Sequence, residues 1–166
     1  MADTLPPGGT RGNEIPKFAR PLMKAGRAVS HFMFRMMGDR MKIQGRPLVM
    51  VTTVGAKTGK KRDSVVARFD DQDHAGSWIV VGSDGGSTRH PGWCYNLVKN
   101  PNQVWANVDK HEHEVRAELL KGAERDKAWQ MVVTTAPGFK KYETTTDRQI
   151  PVFRLTPAAH SSRSSM

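Results

Sequence analysis

A short glycine-containing segment, T-T-V-G-A-K-T-G-K-K-R-D-S-V-V at residues 52–66, concentrates positive charge between two β-branched runs. Its cations are Lys57, Lys60, Lys61 and Arg62. An arginine fork matches phosphate or carboxylate oxygens, and a lysine adds a movable point charge. Successive backbone N–H groups from Gly55 to Gly59 form a predicted nest for the same anion. This cationic turn, residues 55–62, therefore predicts an anion site, with a solubilising hairpin tip as the alternative.

A second polar, glycine-rich stretch, S-D-G-G-S-T-R-H-P-G-W-C-Y-N-L, runs into the predicted start of a helix. Pro91 suits the first turn of that helix, and the free N–H groups there attract anions. Trp93 and Asn96 are three residues apart, so the helix places an aromatic ring beside an amide. We expect the two stretches to line one groove, with a flat heterocycle at one end and a polyanionic tail at the other.

Residues suited to metal or covalent chemistry are sparse. His111 and His113 lie among glutamates, and without a distant partner ligand they predict a solvated turn rather than a metal site. Cys94 is the single cysteine, which excludes an intramolecular disulfide and a cysteine-based zinc cluster. Its place on an apolar helix face indicates a buried structural thiol rather than a reactive one.

The elements that must position these residues are mostly strands. Apolar, β-branched runs predict about six mostly antiparallel strands, at residues 47–54, 62–70, 77–83, 103–108, 113–120 and 150–155. Helical patterns cover residues 20–37, 92–100 and 122–136, and a loop or short helix covers residues 138–148. This order predicts a mainly β, α+β fold: a small or half-open barrel with flanking helices.

The chain is predicted to hold one domain between two tails. Residues 1–19 and 157–166 are polar and predicted to be disordered, and residues 20–156 form the domain. The domain begins with an amphipathic helix at residues 20–37, whose apolar stripe is Leu22, Ala25, Val29, Phe32, Met33 and Met36. We expect this stripe to pack on the domain. A basic helix lying on a membrane surface is the alternative.

The charge of the chain points to an anionic partner. A net charge of +10 and a pI of about 10.1 attract nucleic acid, anionic lipid or a small ligand with phosphate and carboxylates. The sequence contains no nucleic-acid-reading motif, so we expect no nucleic-acid partner. No apolar run long enough to span a bilayer and no signal peptide are evident, which favours the cytoplasm, with peripheral contact on the inner face of the membrane as an alternative.

Three segments together resemble the deazaflavin-dependent nitroreductase and quinone reductase family of actinobacteria. They contain G-x-K-T-G-x-x-R, S-x-G-G with P-x-W-x-x-N-L, and A-P-G-F-K-K-Y-E, in the order of the family. The resemblance covers roughly residues 28–155. It implies an FMN-binding-like split β-barrel and an F420H2-dependent reductase. In that reaction the deazaflavin coenzyme F420 passes a hydride to a small electron-poor acceptor: a quinone, a nitroaromatic or an activated enone.

The resemblance also implies which residues form the site. The implied cofactor-binding residues are Lys57, Thr58, Gly59, Arg62, Val65, Val66, Ser83, Gly85, Gly86, Gly92, Trp93 and Asn96. Of these, Lys57 is expected at the oligoglutamate tail of the cofactor and Arg62 at its phosphate. Phe139 and Tyr142 are expected to face the acceptor, with Tyr142 as the catalytic donor of a hydrogen bond or proton. Packing alone is the alternative role of Tyr142.

Some residues depart from the family pattern. Asp84 stands where a basic residue would help to hold the tail, Gly92 replaces a bulkier neighbour, and Ala136 and Phe139 stand where nitroreductases carry tyrosines. These departures therefore affect the acceptor that the resemblance implies more than the cofactor that it implies. Two other functions stay open: an FMN- or haem-binding split barrel with a compact phosphate pocket, and a basic surface-binding module without catalysis, whose binding would depend strongly on salt.

Overall fold

Within residues 3–158, one curled antiparallel sheet of eight strands forms the body of the molecule. The computed structural model describes residues 3–158, apart from the side chain of Asp39. The strands are β1 Lys42–Ile43, β2 Arg46–Val54, β3 Lys61–Ala67, β4 Phe69–Asp70, β5 Trp78–Val81, β6 Val104–Val108, β7 His111–Leu119 and β8 Val152–Pro157. Their order is β1-β2-β6-β7-β8-β5-β4, and β3 pairs with β2. The sheet curls into a split half-barrel with four flanking helices.

Strand β2 contains a continuous apolar run at residues 47–51 because it separates two cores. Side chains alternate between the faces of a strand, so Leu48 and Met50 enter one core while Val49 and Val51 enter the other. The first core is completed by a helix that supplies Trp129, and the second contains Trp93. A strand buried on both faces reads as a continuous apolar run rather than an alternating one.

In the described part of the chain, four α-helices flank the sheet. They are α1 Arg20–Met37, α2 Gly92–Lys99, α3 Gly122–Thr135 and α4 Lys141–Thr145. Short 3-10 turns precede or connect them at Lys17–Ala19, Gly38–Arg40, Asp84–Gly86 and Pro137–Lys140. Helix α1 has the bounds that the apolar spacing predicts, and its end coincides with Gly38, whose φ of 55° disfavours other residues. None of the helices within residues 3–158 is long and apolar enough to cross a bilayer.

Two strands depart from the sequence prediction. The strand predicted over residues 62–70 is interrupted at Arg68, where the chain leaves β2 and turns to pair with β5 as β4. The buried Arg68 donates its backbone N–H to the carbonyl of Pro47 and its Nε to that of Leu48, which fixes the bend. The two-residue strand β1 was not predicted, because a pair of residues carries no detectable period.

The apolar stripe of α1 faces solvent, so the expectation that it packs on the domain is wrong. Leu22 is 76% exposed and Phe32 is 65% exposed, and Val29 and Met36 are also exposed. Phe34, which lies off the predicted stripe, is the buried residue of the helix. The domain therefore contacts the face that the sequence pattern assigned to water.

The tail predicted to be disordered at residues 1–19 is described over residues 3–19, and its hydrogen bonds and ion pairs with the domain extend from Asp3 to Asn13. Within this segment we call residues 3–16 the amino-terminal strap. Gly9 and Asn13 donate backbone N–H groups to the carbonyls of Thr88 and Gly86, both at 2.9 Å. Asp147 accepts hydrogen bonds from Thr10 and Arg11, which lower the pKa of its carboxyl to about 2. Residues 159–166 of the other predicted tail lie outside the described residues.

A buried ion pair joins β8 to the loop after β4. Arg154 and Asp71 expose 4% and 5% of their side chains, and Arg154 Nε lies 2.5 Å from Asp71 Oδ2. Glu124 and Glu118 accept from the same guanidinium at 2.7 and 3.3 Å. Burial opposes both charges, yet the hydrogen bonds and opposite charges outweigh it, so the pKa of Asp71 is lowered and that of Arg154 is raised.

Replacing the buried guanidinium should destabilise the fold strongly. In Arg154→Met the carboxylate of Asp71 stays buried without its partner, and we expect a loss of about 3–5 kcal/mol in the free energy of unfolding. Urea denaturation measures it. Lys127→Met, which breaks the exposed pair with Asp73, is the control and should cost less than about 1 kcal/mol. Equal losses in the two variants would contradict this assignment.

Candidate active site

A cleft of about 1110 Å³ opens beside β3 and brings most of the predicted site residues together. The predicted residues that line it are Lys57, Thr58, Arg62, Val65, Val66, Ser83, Gly85, Gly92, Trp93, Asn96, Phe139 and Tyr142. Segments far apart in sequence thus meet at one place: the cationic turn, the start of α2, the loop before it, and the chain between α3 and α4. The cleft is also larger than the roughly 300–1,000 Å³ of a typical small-molecule site.

Gly59 and Gly86 do not line the cleft. Gly59 has a φ of 67° and closes the cationic turn, so its role is to allow the chain to reverse. Gly86 is buried with a φ of 78°, and a Cβ there would lie 2.7 Å from Thr145 Cγ2. These two glycines therefore allow the conformation and packing of the segments that form the cleft, without lining it themselves.

The predicted backbone nest in the cationic turn is largely wrong. The N–H of Gly55 bonds the carbonyl of Lys60 at 2.8 Å, that of Gly59 bonds the carbonyl of Gly55 at 2.9 Å, and that of Ala56 bonds Asn96 Oδ1 at 2.9 Å. These N–H groups close the turn instead of pointing to a ligand. Anion binding at this turn must therefore come mainly from side chains.

Asn96 joins helix α2 to the cationic turn. Its Oδ1 accepts from the backbone of Ala56, and its Nδ2 donates to Thr53 Oγ1 at 2.9 Å. One turn further along α2, Asn100 Nδ2 donates to the carbonyl of Val54 at 3.1 Å. The amide of Asn96 is thus occupied within the protein, and its contribution to the cleft is to hold the turn in place.

Unpaired positive charge is concentrated in the cleft. Within residues 3–158, Arg27, Lys57 and Arg62 have no ion-pair partner, although all three line the cleft. By contrast, Asp63 in the same wall is held by Arg35 at 3.4 Å and by Thr52 at 2.7 Å. Like charges without partners repel one another, so this arrangement favours an anionic ligand.

The aromatic residues that line the cleft differ in how much of each ring a ligand can reach. Trp93 is only 8% exposed and its ring packs 5.9 Å from that of Phe153, so a ligand reaches a small part of the indole. Phe139 is buried and packs edge to face against Phe69 and Tyr142, each at 5.5 Å between ring centres. Tyr142 is half-buried and is the outermost of this aromatic group.

One face of α1 forms a wall that the sequence reasoning missed. Met23, Arg27, Ser30 and His31 line the cleft, and their spacing of four, three and one places them on one side of the helix. The same side carries the buried Phe34. The sequence does contain this second, polar stripe of α1, but the packed side of a helix is usually inferred from its apolar stripe.

Comparison with known proteins identifies the family of this chain. The sequence profile of the F420H(2)-dependent quinone reductase family matches residues 25–157. The chain belongs to this family. It is therefore an oxidoreductase that uses coenzyme F420, as the sequence motifs predicted.

Relatives of the reductase cover most of the same region. An F420H(2)-dependent quinone reductase of Mycobacterium tuberculosis is 35% identical over 113 residues, which are 66% of this chain and 73% of that protein. A solved F420-H2 dependent reductase, FDR-A, is 38% identical with a TM-score of 0.58, covering 66% of this chain and 94% of that chain. A structure described as a domain-swapped dimer is 32% identical with a TM-score of 0.59, covering 81% and 98%. The predicted split-barrel fold is confirmed.

The side chains of the cleft fit the cofactor of the reductase. F420 combines a flat deazaflavin with a phosphate and a glutamate tail, and the lining of the cleft combines cations without an ion-pair partner in the described residues with aromatic side chains. Gly92 at the start of α2 has open space where a Cβ would stand, and Gly85 is exposed. The helix begins at Gly92, which lines the cleft, and no side chain caps its N-terminus.

A buried arginine organises the loop before α2, residues 83–87, which we call the glycine loop. Arg148 donates to the carbonyls of Ser83 at 2.8 Å and Ser87 at 2.6 Å. Its remaining nitrogen lies 3.1 Å from His90 Nδ1, and His90 Nε2 lies 2.7 Å from the carbonyl of Pro6. The imidazole is therefore neutral, accepting from Arg148 and donating to the strap. Neither residue was singled out from sequence.

Low pH should lower the free energy of unfolding of the reductase through protonation of His90. Burial and the adjacent Arg148 lower the pKa of His90. Because the unfolded chain then binds the proton more readily, stability is complete above about pH 6.5 and decreases as the pH falls below it, by up to about 1.4 kcal/mol per unit. Urea denaturation between pH 7.5 and pH 5 measures this decrease. His90→Gln can keep both hydrogen bonds without titrating and should show a flatter profile; parallel profiles would contradict the assignment.

Proposed function

We propose that the reductase binds reduced F420 along the cleft and reduces a quinone placed against Phe139 and Tyr142. The observation that supports this most directly is a large cleft whose lining includes both cations without an ion-pair partner in the described residues and the aromatic side chains of Phe139 and Tyr142. A compact phosphate pocket would fit FMN better, whereas a cleft of about 1110 Å³ has room for a long anionic tail. The family assignment favours a quinone over a nitroaromatic or an enone as the acceptor.

The cationic turn would hold the tail of the cofactor. Lys57 is exposed and mobile enough to follow the carboxylates of the glutamates, and Arg62 offers a fork to the phosphate. Thr58 adds a hydroxyl beside them. Asn96 supports this role indirectly, because its hydrogen bonds keep the turn beside α2.

The middle of the cleft would hold the ring. Val65 and Val66 are half-buried on β3 and both line the cleft, and their alternating side chains pack against different cores. Ser83, Gly85 and Gly92 form the opposite wall, where the lack of side chains on the glycines lets the backbone approach closely. The small exposed part of Trp93 would form the floor.

Charge balance in the reduction of the acceptor requires a proton donor in the site. The bound cofactor supplies a hydride, and reduction of a quinone to a hydroquinone requires one further proton. We assign this proton to Tyr142: its O–H bond breaks, an O–H bond forms on the quinone oxygen, and water in the open cleft restores the phenol. Phe139 packs against the tyrosine ring and limits its position. Proximity and this hydrogen bond are what the protein contributes to the reaction.

We also propose that residues 20–37 contact the inner face of the membrane from the cytoplasm. Helix α1 exposes an apolar stripe, and it is flanked by basic residues with no acidic residue between Glu14 and Asp39. Basic amphipathic helices bind anionic lipid surfaces in this way. Since the inner face of α1 lines the cleft, such contact would bring the site to the place where lipid-soluble quinones reside.

Charge reversal in the cationic turn should weaken cofactor binding. In Lys57→Glu/Arg62→Glu the tail meets repulsion instead of attraction, and we expect the dissociation constant for F420 to rise more than about 100-fold. Titration followed by F420 fluorescence measures it. Lys110→Glu/Lys127→Glu, with the same change in net charge away from the cleft, is the control. Equal affinities in the two variants, or equally tight binding of FMN, would refute the proposed cofactor site.

The membrane contact predicts binding to anionic vesicles. Vesicles containing phosphatidylglycerol should sediment the reductase, and neutral vesicles or high salt should reduce the bound fraction. Leu22→Glu/Phe32→Glu should lower the partition coefficient more than about tenfold, because both stripe residues are exposed. Gln130→Glu/Thr134→Glu on α3 is the control with equal charge. Concentration-dependent dimerisation without vesicle binding would assign the stripe to a second copy of the chain instead.

A further inference from the structure

A glutamine at a hairpin tip reaches the proposed proton donor. Gln44 and Gly45 connect β1 to β2 as a two-residue turn, and both have positive φ, 49° and 74°. Such turns match the twist of the strands they join, but they favour asparagine, aspartate or glycine rather than glutamine at the first position. The side chain of Gln44 crosses to the segment after α3, where its Nε2 lies 3.2 Å from the hydroxyl of Tyr142.

Gly138 makes room for this contact. A Cβ at residue 138 would overlap Gln44 Oε1 and lie 2.9 Å from Gln44 Cδ. Gly138 does not have a positive φ, so its backbone does not require glycine. The missing side chain is needed because the amide of Gln44 occupies the space, and two residues 94 positions apart in sequence are thereby matched in shape.

The hydrogen bond has a direction that matters for Tyr142. A phenol has one O–H donor and two acceptor lone pairs. The amide of Gln44 donates to one lone pair, so the O–H remains available to a group in the cleft. The ring meets Phe139 edge to face at an interplanar angle of 85°. The hydroxyl is therefore located by Gln44 and the ring by Phe139.

We propose that Gln44 is a positioning residue for the reaction: it holds the hydroxyl of Tyr142 so that its proton points to the quinone oxygen. This inference rests on the proposed role of Tyr142 as the proton donor. Gln44 itself touches neither cofactor nor acceptor in this scheme, since it is Tyr142 and not Gln44 that lines the cleft.

Tyrosine NMR tests the contact without cofactor or acceptor. The chain contains two tyrosines, so a protein labelled with carbon-13 at the phenol carbon gives two signals, and Tyr142→Phe assigns them. Gln44→Leu should shift the Tyr142 signal and leave that of Tyr95 in place. Gly138→Ala should produce the same shift from the other side, because its new methyl group displaces the flexible end of Gln44. Gly26→Ala, whose Cβ meets nothing within 4 Å, is the matched control.

Kinetics of quinone reduction then test the role. Both Gln44→Leu and Gly138→Ala should lower kcat about fivefold to tenfold, the effect of one neutral hydrogen bond, with KM for reduced F420 unchanged. Gln44→Glu is the sharpest variant, because a carboxylate cannot donate and instead accepts the phenol proton. It should lower kcat at least as much, although it preserves the shape of the side chain.

The outcomes separate this inference from the proposed function. If Tyr142→Phe lowers kcat while the three other variants neither shift the Tyr142 signal nor slow the reaction, Gln44 has no positioning role and Tyr142 keeps its own. If Tyr142→Phe reacts as fast as the unmodified protein, the proposed role of Tyr142 fails and the inference fails with it. A shifted signal together with the expected loss of kcat supports both.

Discussion

The side-chain amide of Asn96 holds the two halves of the active site together. It links the cationic turn, which belongs to the sheet, to α2, which carries Trp93 of the cleft. A turn rich in lysine and arginine would otherwise extend into water, because its charges repel one another. A neutral amide restrains such a turn without cancelling its charge, which an acidic residue at position 96 would do. The cleft therefore keeps both its shape and its positive potential.

Much of the fold could be predicted because local patterns and tertiary packing agree. The apolar run of β2, the alternation in β6 and the bounds of α1 all follow from residue spacing, and they match the structure within a few residues. The motifs around Lys57 and Trp93 likewise led to the correct family and cofactor. These features depend on contacts that are short in sequence or on patterns that a whole family shares.

The errors have a different cause: they occur where contacts in the folded structure, which leave no periodic pattern in the sequence, decide the outcome. The nest at Gly55–Gly59 fails because Asn96 and the turn itself use the N–H groups. The strap looks disordered because its partners, the glycine loop and Asp147, lie about 70 to 140 residues away. The sequence pattern assigned the wrong face of α1 to the domain. The polar face lines the cleft, and amphipathicity alone does not show which face of a helix contacts protein.

The strap has a practical consequence for anyone who prepares this protein. Its composition invites removal of the first 15 or so residues before crystallisation or labelling. That deletion would remove the carbonyl to which His90 donates a hydrogen bond, and the N–H groups that donate to the carbonyls of Thr88 and Gly86. It would also leave the carboxylate of Asp147 without its hydrogen-bond donors in the strap. In the shortened chain the glycine loop beside the cleft would lose these contacts and rearrange. A low kcat measured for that chain would then reflect the truncation rather than the intact enzyme.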